Sequence, residues 1–347
     1  MRRLRWGVLS TASIGRVKVI PAIRKAPHCE VVAIASRDAA LAASVAGELG
    51  IANAHGSYEA LLADADVEAV YIPLPNHLHA TWATAAARAG KHVLCEKPLA
   101  LSAADAERMI EVADRAGVLL MEAFMYRLHP SWVAVRELVA TGRIGRLVAV
   151  QSWFSYFNDD ASNIRNILEV GGGALYDIGC YSVNLSRMLF DGEPDRVEGL
   201  IVRDPATGTD VVTSGILGFG DGVASFTCST RAEHDQRVHV YGTAGRISVE
   251  IPFNIPPDRP TRIFITAAGD PPVAPLIETV TFDTADPYTV EAEAFATAVL
   301  EGRPAPVPPA DAVANLRVIE AIIAAAEPQV ASGRARALSP APSRRSR

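Results

Sequence analysis

Lys97 stands at the end of a helix–strand unit. The stretch from Asn76 to Lys97, NHLHATWATAAARAGKHVLCEK, is closed by Pro98 and reads as a helix that opens with Asn76, His77 and His79, followed by a buried strand that ends in Glu96-Lys97. In an alternating β/α chain the carboxyl end of such a strand is where ligands bind, so a lysine fixed there beside a proline is placed for chemistry. A second cluster is Gly171-Gly172-Gly173-Ala174-Leu175-Tyr176-Asp177-Ile178-Gly179-Cys180-Tyr181. Three glycines let a backbone come close before a helix begins, and within that helix Asp177 and Tyr181, four apart, share a face. A phenol with a pKa of about 10 is shifted down by roughly 1–3 units beside an ammonium group, so Lys97 next to Tyr181 predicts an acid/base pair. The plainer alternative is an Asp and a Tyr hydrogen-bonded inside a core helix.

The first β/α turn is Ser10-Thr11-Ala12-Ser13-Ile14-Gly15. A dinucleotide fingerprint has glycines at the positions of Ser10, Ala12 and Gly15, so that the chain turns tightly and a pyrophosphate reaches the helix N-terminus. Only Gly15 is kept, with small residues at the other two positions; a tight turn without a ligand is the alternative. The second strand ends in Ala35-Ser36-Arg37, where an NAD site would carry an acid for the ribose 2′-hydroxyl. Ser36 and Arg37 suit a 2′-phosphate instead, and Asp38 comes one residue late, so NADP is expected, with NAD as a lesser possibility. Read blandly, Arg37 is a solvated loop charge. His77 and His79 form an HxH without a third ligand at diagnostic spacing, so no metal is expected. His79 is expected on the sugar side of the cleft or capping its helix. Met121, Met125 and Trp132 read as core. Phe154 and Tyr156, in an aromatic run with Trp153 and Phe157, are expected either to stack on a sugar ring or to line a dimer face.

The elements that must position these residues follow from composition and periodicity. The 347 residues are 49% hydrophobic and 21% charged, which suits a globular chain with two cores. A net charge of −6 offers no footprint for nucleic acid or an anionic membrane. No apolar run reaches the ~20 residues of a membrane span. The basic–apolar start, MRRLRWGVLS, is followed by Arg16 and Lys18 and reads as a first strand. Cys29, Cys95, Cys180 and Cys228 are scattered, which predicts reduced thiols and a cytoplasmic protein. Up to about residue 125, strands at Leu4–Leu9, Glu30–Ala35, Ala69–Ile72, His92–Glu96 and Val118–Glu122 alternate with helices, the pattern of a doubly wound parallel sheet. Beyond it, strands at Leu147–Tyr156, Arg196–Val202, Val211–Phe219, Val223–Ser229, Arg237–Tyr241 and Arg246–Ile251 predict a mostly antiparallel sheet. Helices are expected from Ala174 to about Leu189, at Val290–Leu300 and at Asp311–Ala326. The division is then 1–125 and 126–330, with a flexible tail from 331 to 347.

The motifs PLPNHLHA at 73–80, AGKHVLCEKPLA at 89–100, MEAFMYRLHP at 121–130 and GGGALYDIGCY at 171–181 resemble the glucose–fructose oxidoreductase / inositol dehydrogenase (Gfo/Idh/MocA) family. The likeness runs to about residue 330. It is greatest to the branch of NADP-dependent D-xylose 1-dehydrogenases and dimeric dihydrodiol dehydrogenases, where Tyr replaces His four residues after the Asp. The resemblance implies an α/β fold: an N-terminal Rossmann sheet and a C-terminal α+β domain on a large open sheet. It implies Lys97 and Tyr181 as catalytic residues and Asp177 as a ligand of a substrate hydroxyl. Pro73, Leu74, Asn76, His79, Glu96 and Lys97 would line the cofactor, and Arg165 would reach it from the second domain. The Ser10/Ala12 turn is the departure from the family's pattern.

The reaction implied is reversible hydride transfer between NADP and a carbinol carbon of a sugar, foremost C1 of an aldopyranose such as D-xylose or D-glucose, giving the lactone. Trans-dihydrodiol, inositol and keto- or anhydro-sugar oxidoreduction are alternatives. So is an NADP-sensing regulator without catalysis, which would not need the Lys97/Tyr181 pair. The open sheet implies a homodimer or homotetramer.

Overall fold

Runs such as Trp6–Leu9 and Val70–Ile72 are apolar without alternation because both of their faces are covered. The computed structural model describes residues 2–267 and 276–326, so the tail expected from residue 331 lies outside them. Strands β1 (Leu4–Leu9), β2 (Cys29–Ala35), β3 (Asn53–His55), β4 (Ala69–Ile72), β5 (His92–Glu96) and β6 (Leu120–Ala123) form the first sheet. They pair in parallel in the order β3-β2-β1-β4-β5-β6. The order reverses between β1 and β4, and the crevice at that switch point is where such sheets bind ligands. Helices α1 (Ile20–Lys25), α2 (Ala39–Leu49), α3 (Tyr58–Leu62), α4 (Asn76–Arg88) and α5 (Ala103–Ala116) join the strands. Side chains at their starts supply orphan amides with acceptors. Asp38 accepts from Ala40 and Leu41, Ser57 from Ala60 and Ser102 from Asp105.

Helix α6 (Pro130–Ala140) leads into β7 (Leu147–Phe157), and α7 (Cys180–Phe190) follows it. Then come β8 (Arg196–Arg203), β9 (Asp210–Phe219), β10 (Gly222–Ser229), β11 (Arg231–Gly242), β12 (Gly245–Val249), β13 (Thr261–Ala267) and β14 (Glu278–Phe282). These eight strands make the second sheet, in the order β14-β13-β12-β11-β7-β10-β9-β8, antiparallel except for β7 with β10. Its inner face packs on helices: the backbone of α9 (Ala310–Ala326) lies so close to β8 that a Cβ on Gly199 would meet the Ile322 carbonyl. Its outer face carries exposed Leu200, Val202, Ile216 and Val223.

The chain ends by returning to the first sheet. Helix α8 (Pro287–Glu301) sets Phe295 against Trp6 of β1, ring centroids 5.3 Å apart, and Thr289 donates to the Ala22 carbonyl of α1. The segment after residue 286 therefore packs partly with the first unit, although the sequence division at 125 groups it with the second. Five elements were not anticipated: β3, α3, α6, β13 and β14. Three of them, β3, α3 and β14, are only three to five residues long, too short for a periodic signal. Among the described residues no helix is long and apolar enough to cross a membrane.

Candidate active site

The site forms where β5 ends and α7 begins. Lys97 follows β5 directly, and the peptide bond to Pro98 is cis. Opposite it the chain does not start its helix with a regular turn: Leu175–Gly179 is a wide π turn that passes into α7. Such turns open the regular hydrogen-bond ladder and recur at functional sites. Lys97 enters this one, donating from Nζ to the Asp177 carbonyl at 2.6 Å and to Asp177 Oδ1 at 3.3 Å.

The three glycines before the turn are explained by what approaches them. A Cβ on Gly171 would strike Leu101, and one on Gly172 would lie 2.7 Å from the carbonyls of Arg165 and Ile167. One on Gly173, where φ is +125°, would overlap Asp210 Oδ1. Asp210 uses its other oxygen to accept the Leu175 amide at 2.7 Å, capping the π turn from across the second sheet. Gly173 N–H bonds the Arg165 carbonyl at 2.8 Å, which ties the Arg165 segment to the same turn.

Asp177 is the electrostatic centre. Its Oδ2 accepts the Tyr156 hydroxyl at 2.5 Å and Arg165 Nε at 2.9 Å, while Oδ1 faces Lys97. Burial works against its charge, but Lys97 and Arg165 outweigh it and hold the carboxyl at about 2. Lys97, also buried, is held protonated because Asp177 outweighs desolvation. Burial and the adjacent Asp177 push the Tyr156 phenol up.

Tyr181 differs from expectation. Lys97 Nζ lies over its ring face, 5.0 Å from the centroid, and the hydroxyl points to Met125 Sδ at 3.7 Å. Burial raises its pKa well above the ordinary phenol value, so the predicted lowering by Lys97 is overturned. The ammonium does not reach the hydroxyl, and the ring lies among Phe124, Tyr126, Phe154 and Phe253.

These residues face a cleft of about 600 Å³. Of the positions singled out in the sequence, Ala12, Ser13, Ile14, Pro73, Leu74, Asn76, Glu96, Lys97, Phe154, Tyr156, Arg165, Asp177 and Tyr181 line it. Four of these positions are tied down within the protein. Asn76 Nδ2 donates to the Gly171 carbonyl, and Glu96 accepts the Tyr71 hydroxyl at 2.6 Å. Phe154 is stacked on Phe253 with an interplanar angle of 16°, and Tyr156 is committed to Asp177. The expectation that Phe154 offers a free ring face to a sugar is therefore corrected.

His79 is corrected too. It is completely buried, with Nδ1 2.8 Å from the Pro98 carbonyl and Nε2 2.7 Å from the Leu74 carbonyl, so it contacts neither cleft nor sugar. Burial lowers its pKa, and the neutral ring donates to one of the two carbonyls.

Ser10, Thr11, Ser36 and Arg37 lie outside the walls of this cleft, at the ends of β1 and β2. Ser10 has φ of +149°, a conformation that favours glycine, so the fingerprint's tight turn is kept by a strained serine. Asp38 caps α2, its Oδ1 accepting from the Ala40 and Leu41 amides, and among the described residues Arg37 has no ion-pair partner. A serine and a cation without an ion-pair partner among the described residues stand at the end of β2, a chemistry that fits the 2′-phosphate of NADP.

Sequence reasoning missed Lys18, Asn158, Asn254 and Tyr288, which also line the cleft. Lys18 lies in the π turn Gly15–Val19 just beyond the recognised loop, where no motif marks it. Asn254 and Tyr288 come from segments with no motif, and only the fold brings them in.

A parallel sheet in this strand order with a charged cleft at its switch point is the setting of a dinucleotide-binding fold. The chain belongs to the Gfo/Idh/MocA family: residues 4–124 match the oxidoreductase family with an NAD-binding Rossmann fold, and residues 132–248 match the GFO/IDH/MocA C-terminal domain. It is 44% identical to a D-xylose 1-dehydrogenase (NADP(+)) of Haloferax volcanii, over 93% of this chain and 97% of that one. A 3-ketoreductase from Actinomadura kijaniata, solved with NADP and TDP-benzene, superposes with a TM-score of 0.85 at 31% identity, covering 93% of this chain and 98% of that one. That enzyme has also been solved with a lysine and with a tyrosine replaced, at the same separation along the chain as Lys97 and Tyr181. The aldose-aldose oxidoreductase of Caulobacter crescentus, complexed with glycerol, gives a TM-score of 0.86 at 26% identity, covering 94% and 98%. The protein is thus an oxidoreductase with NADP as its cofactor.

Proposed function

We propose that this protein moves hydride reversibly between NADP and C1 of an aldopyranose, D-xylose or D-glucose, giving the lactone. The observation that carries the reading is the meeting of Lys97, Asp177 and Tyr181 in one cleft beside the Ala12–Ile14 turn. The likeness to a xylose 1-dehydrogenase over nearly the whole chain supports C1 as the reacting carbon.

When bound, NADP supplies or accepts the hydride. Ala12, Ser13 and Ile14 at the helix start hold its pyrophosphate, Ser36 and Arg37 its 2′-phosphate, and Pro73, Leu74 and Glu96 its nicotinamide end. Asp177 has one lone pair left on Oδ1, which accepts a sugar hydroxyl and orients the ring. Lys97, charged and largely desolvated, stabilises negative charge that develops on the reacting oxygen. Tyr181, neutral because burial disfavours its phenolate, gives its proton to that oxygen as hydride arrives; in the oxidation the phenol first loses its proton to water, and the phenolate then takes the substrate's hydroxyl proton as hydride leaves.

Tyr181→Phe is expected to lower kcat by at least ~100-fold while NADP binding stays nearly unchanged. Stopped turnover with a preserved cofactor Kd supports the assignment; unchanged turnover removes Tyr181 from the reaction.

We also assign a homodimer or homotetramer, formed through the outer face of the second sheet. Leu200, Val202, Ile216 and Val223 expose apolar surface on three adjacent strands there, beside a groove of about 530 Å³ at Trp153 and Arg237. Light scattering after size exclusion should give at least twice the 36.9 kDa chain mass. A monomer at micromolar concentration contradicts the assignment. The four cysteines, all free and buried, support a cytoplasmic location.

A further inference from the structure

Two buried side chains that do not line the cleft grip the backbone just after Lys97. Glu122 of β6, 2% exposed, accepts the Leu99 amide on Oε1 at 2.7 Å. Its Oε2 is buried with no hydrogen-bond partner. His79 of α4 reaches the Pro98 carbonyl at 2.8 Å from the other side and touches the Leu74 carbonyl of the cleft wall. The carbonyl and the amide of the single Pro98–Leu99 peptide group are therefore each met by a polar side chain with almost no exposure. A carboxyl group with an unsatisfied oxygen is a costly way to fill core space, because an orphaned buried acceptor loses its hydration without return. Its one hydrogen bond is to the turn that carries the lysine. The charged groups facing Glu122 are Asp311, Arg127 and Arg187, and none of them is hydrogen-bonded to it.

We infer that Glu122 and His79 are positioning residues for Lys97: together they fix the Lys97-Pro98-Leu99 turn so that Nζ stands between the Asp177 carbonyl and the face of Tyr181. Lys97 is held with Nζ 2.6 Å from a carbonyl and 5.0 Å from a ring centroid, a geometry that a loose turn would not keep. The functional meaning rests on the role proposed for Lys97 above. The positioning itself is read without any substrate.

The chain has four lysines, Lys18, Lys25, Lys91 and Lys97, so protein grown on lysine labelled with ¹³C at the ε carbon gives four signals. Lys97→Arg identifies the one from Lys97. Because Lys97 lies over the Tyr181 ring, its signal is displaced by the ring current and reports its position. Glu122→Leu, which removes the acceptor, is expected to move that signal toward its ordinary shift. Glu122→Gln keeps an oxygen for the Leu99 amide and is expected to restore it. If Glu122→Leu fails to fold, His79→Leu is read in the same way. A Lys97 signal unmoved in the leucine variant that folds overturns the inference, as does a Glu122→Gln signal displaced as far as that of Glu122→Leu. A wild-type enzyme that turns over no sugar contradicts the proposed function and leaves this result standing.

Discussion

Asp177 gathers donors from three separate segments: Lys97 after β5, Tyr156 in β7 and Arg165 between β7 and the π turn. Each residue type was legible in the chain, but the partnership was not, because it depends on two sheets being brought together. Tyr156 shows the difference. Its alternation in an aromatic run suggested a stacking ring, whereas its hydroxyl is what the site uses. His79 shows the opposite case: a histidine beside a motif reads as a ligand, and only burial reveals that it serves the backbone. Ser10 makes a prediction at this scale. A serine at φ of +149° carries strain of roughly 1–3 kcal/mol that glycine does not, partly offset by glycine's freedom when unfolded. Ser10→Gly is expected to raise the urea midpoint, or at least not lower it, and to leave NADP binding intact. A marked drop in stability would mean that the Ser10 Oγ contact to the Ala12 amide, at 3.0 Å, outweighs the strain.

Among the elements, the π turn at Leu175–Gly179 decides the geometry. The sequence reading of a helix from Ala174 is right in extent, yet Asp177 and Tyr181 are related by a wide turn joined to α7, not by a regular helix. Nothing in the residue spacing distinguishes the two, since the π turn is imposed from outside by Asp210 and the Arg165 backbone. The triple glycine was the available signal: it marked close approach without saying of what. Gly173→Ala is expected to cost at least ~2 kcal/mol, because a Cβ there overlaps Asp210 and φ of +125° is strained for alanine. Activity should fall with stability, as the Asp210 cap on Leu175 is lost. A Gly173→Ala enzyme of unchanged stability and kcat would show that the cap does not hold the turn.

For the whole molecule, the two sheets were legible from one physical distinction. Buried parallel strands are continuously apolar, as in Val70–Ile72, while the second sheet showed itself as successive strands with little helix between them; in Val211–Leu217 it is the burial that alternates, more than the residue types. The packing of α8 on the first sheet was not legible, because an apolar helix face does not name the surface it covers. The cleft between the sheets takes its first wall from the turn after β1 and its second from β7 and the π turn, and the proposed meeting of cofactor and sugar falls there.

The central claim is that Lys97 and its cleft oxidise a sugar with NADP. The most direct measurement is NADPH formation from NADP⁺ with D-xylose and D-glucose, run beside NAD⁺ and beside Lys97→Ala. The account predicts turnover with at least one sugar, a preference for NADP⁺ over NAD⁺, and a loss of at least ~100-fold in kcat in the variant. Sugar-dependent turnover that survives Lys97→Ala undiminished would contradict it.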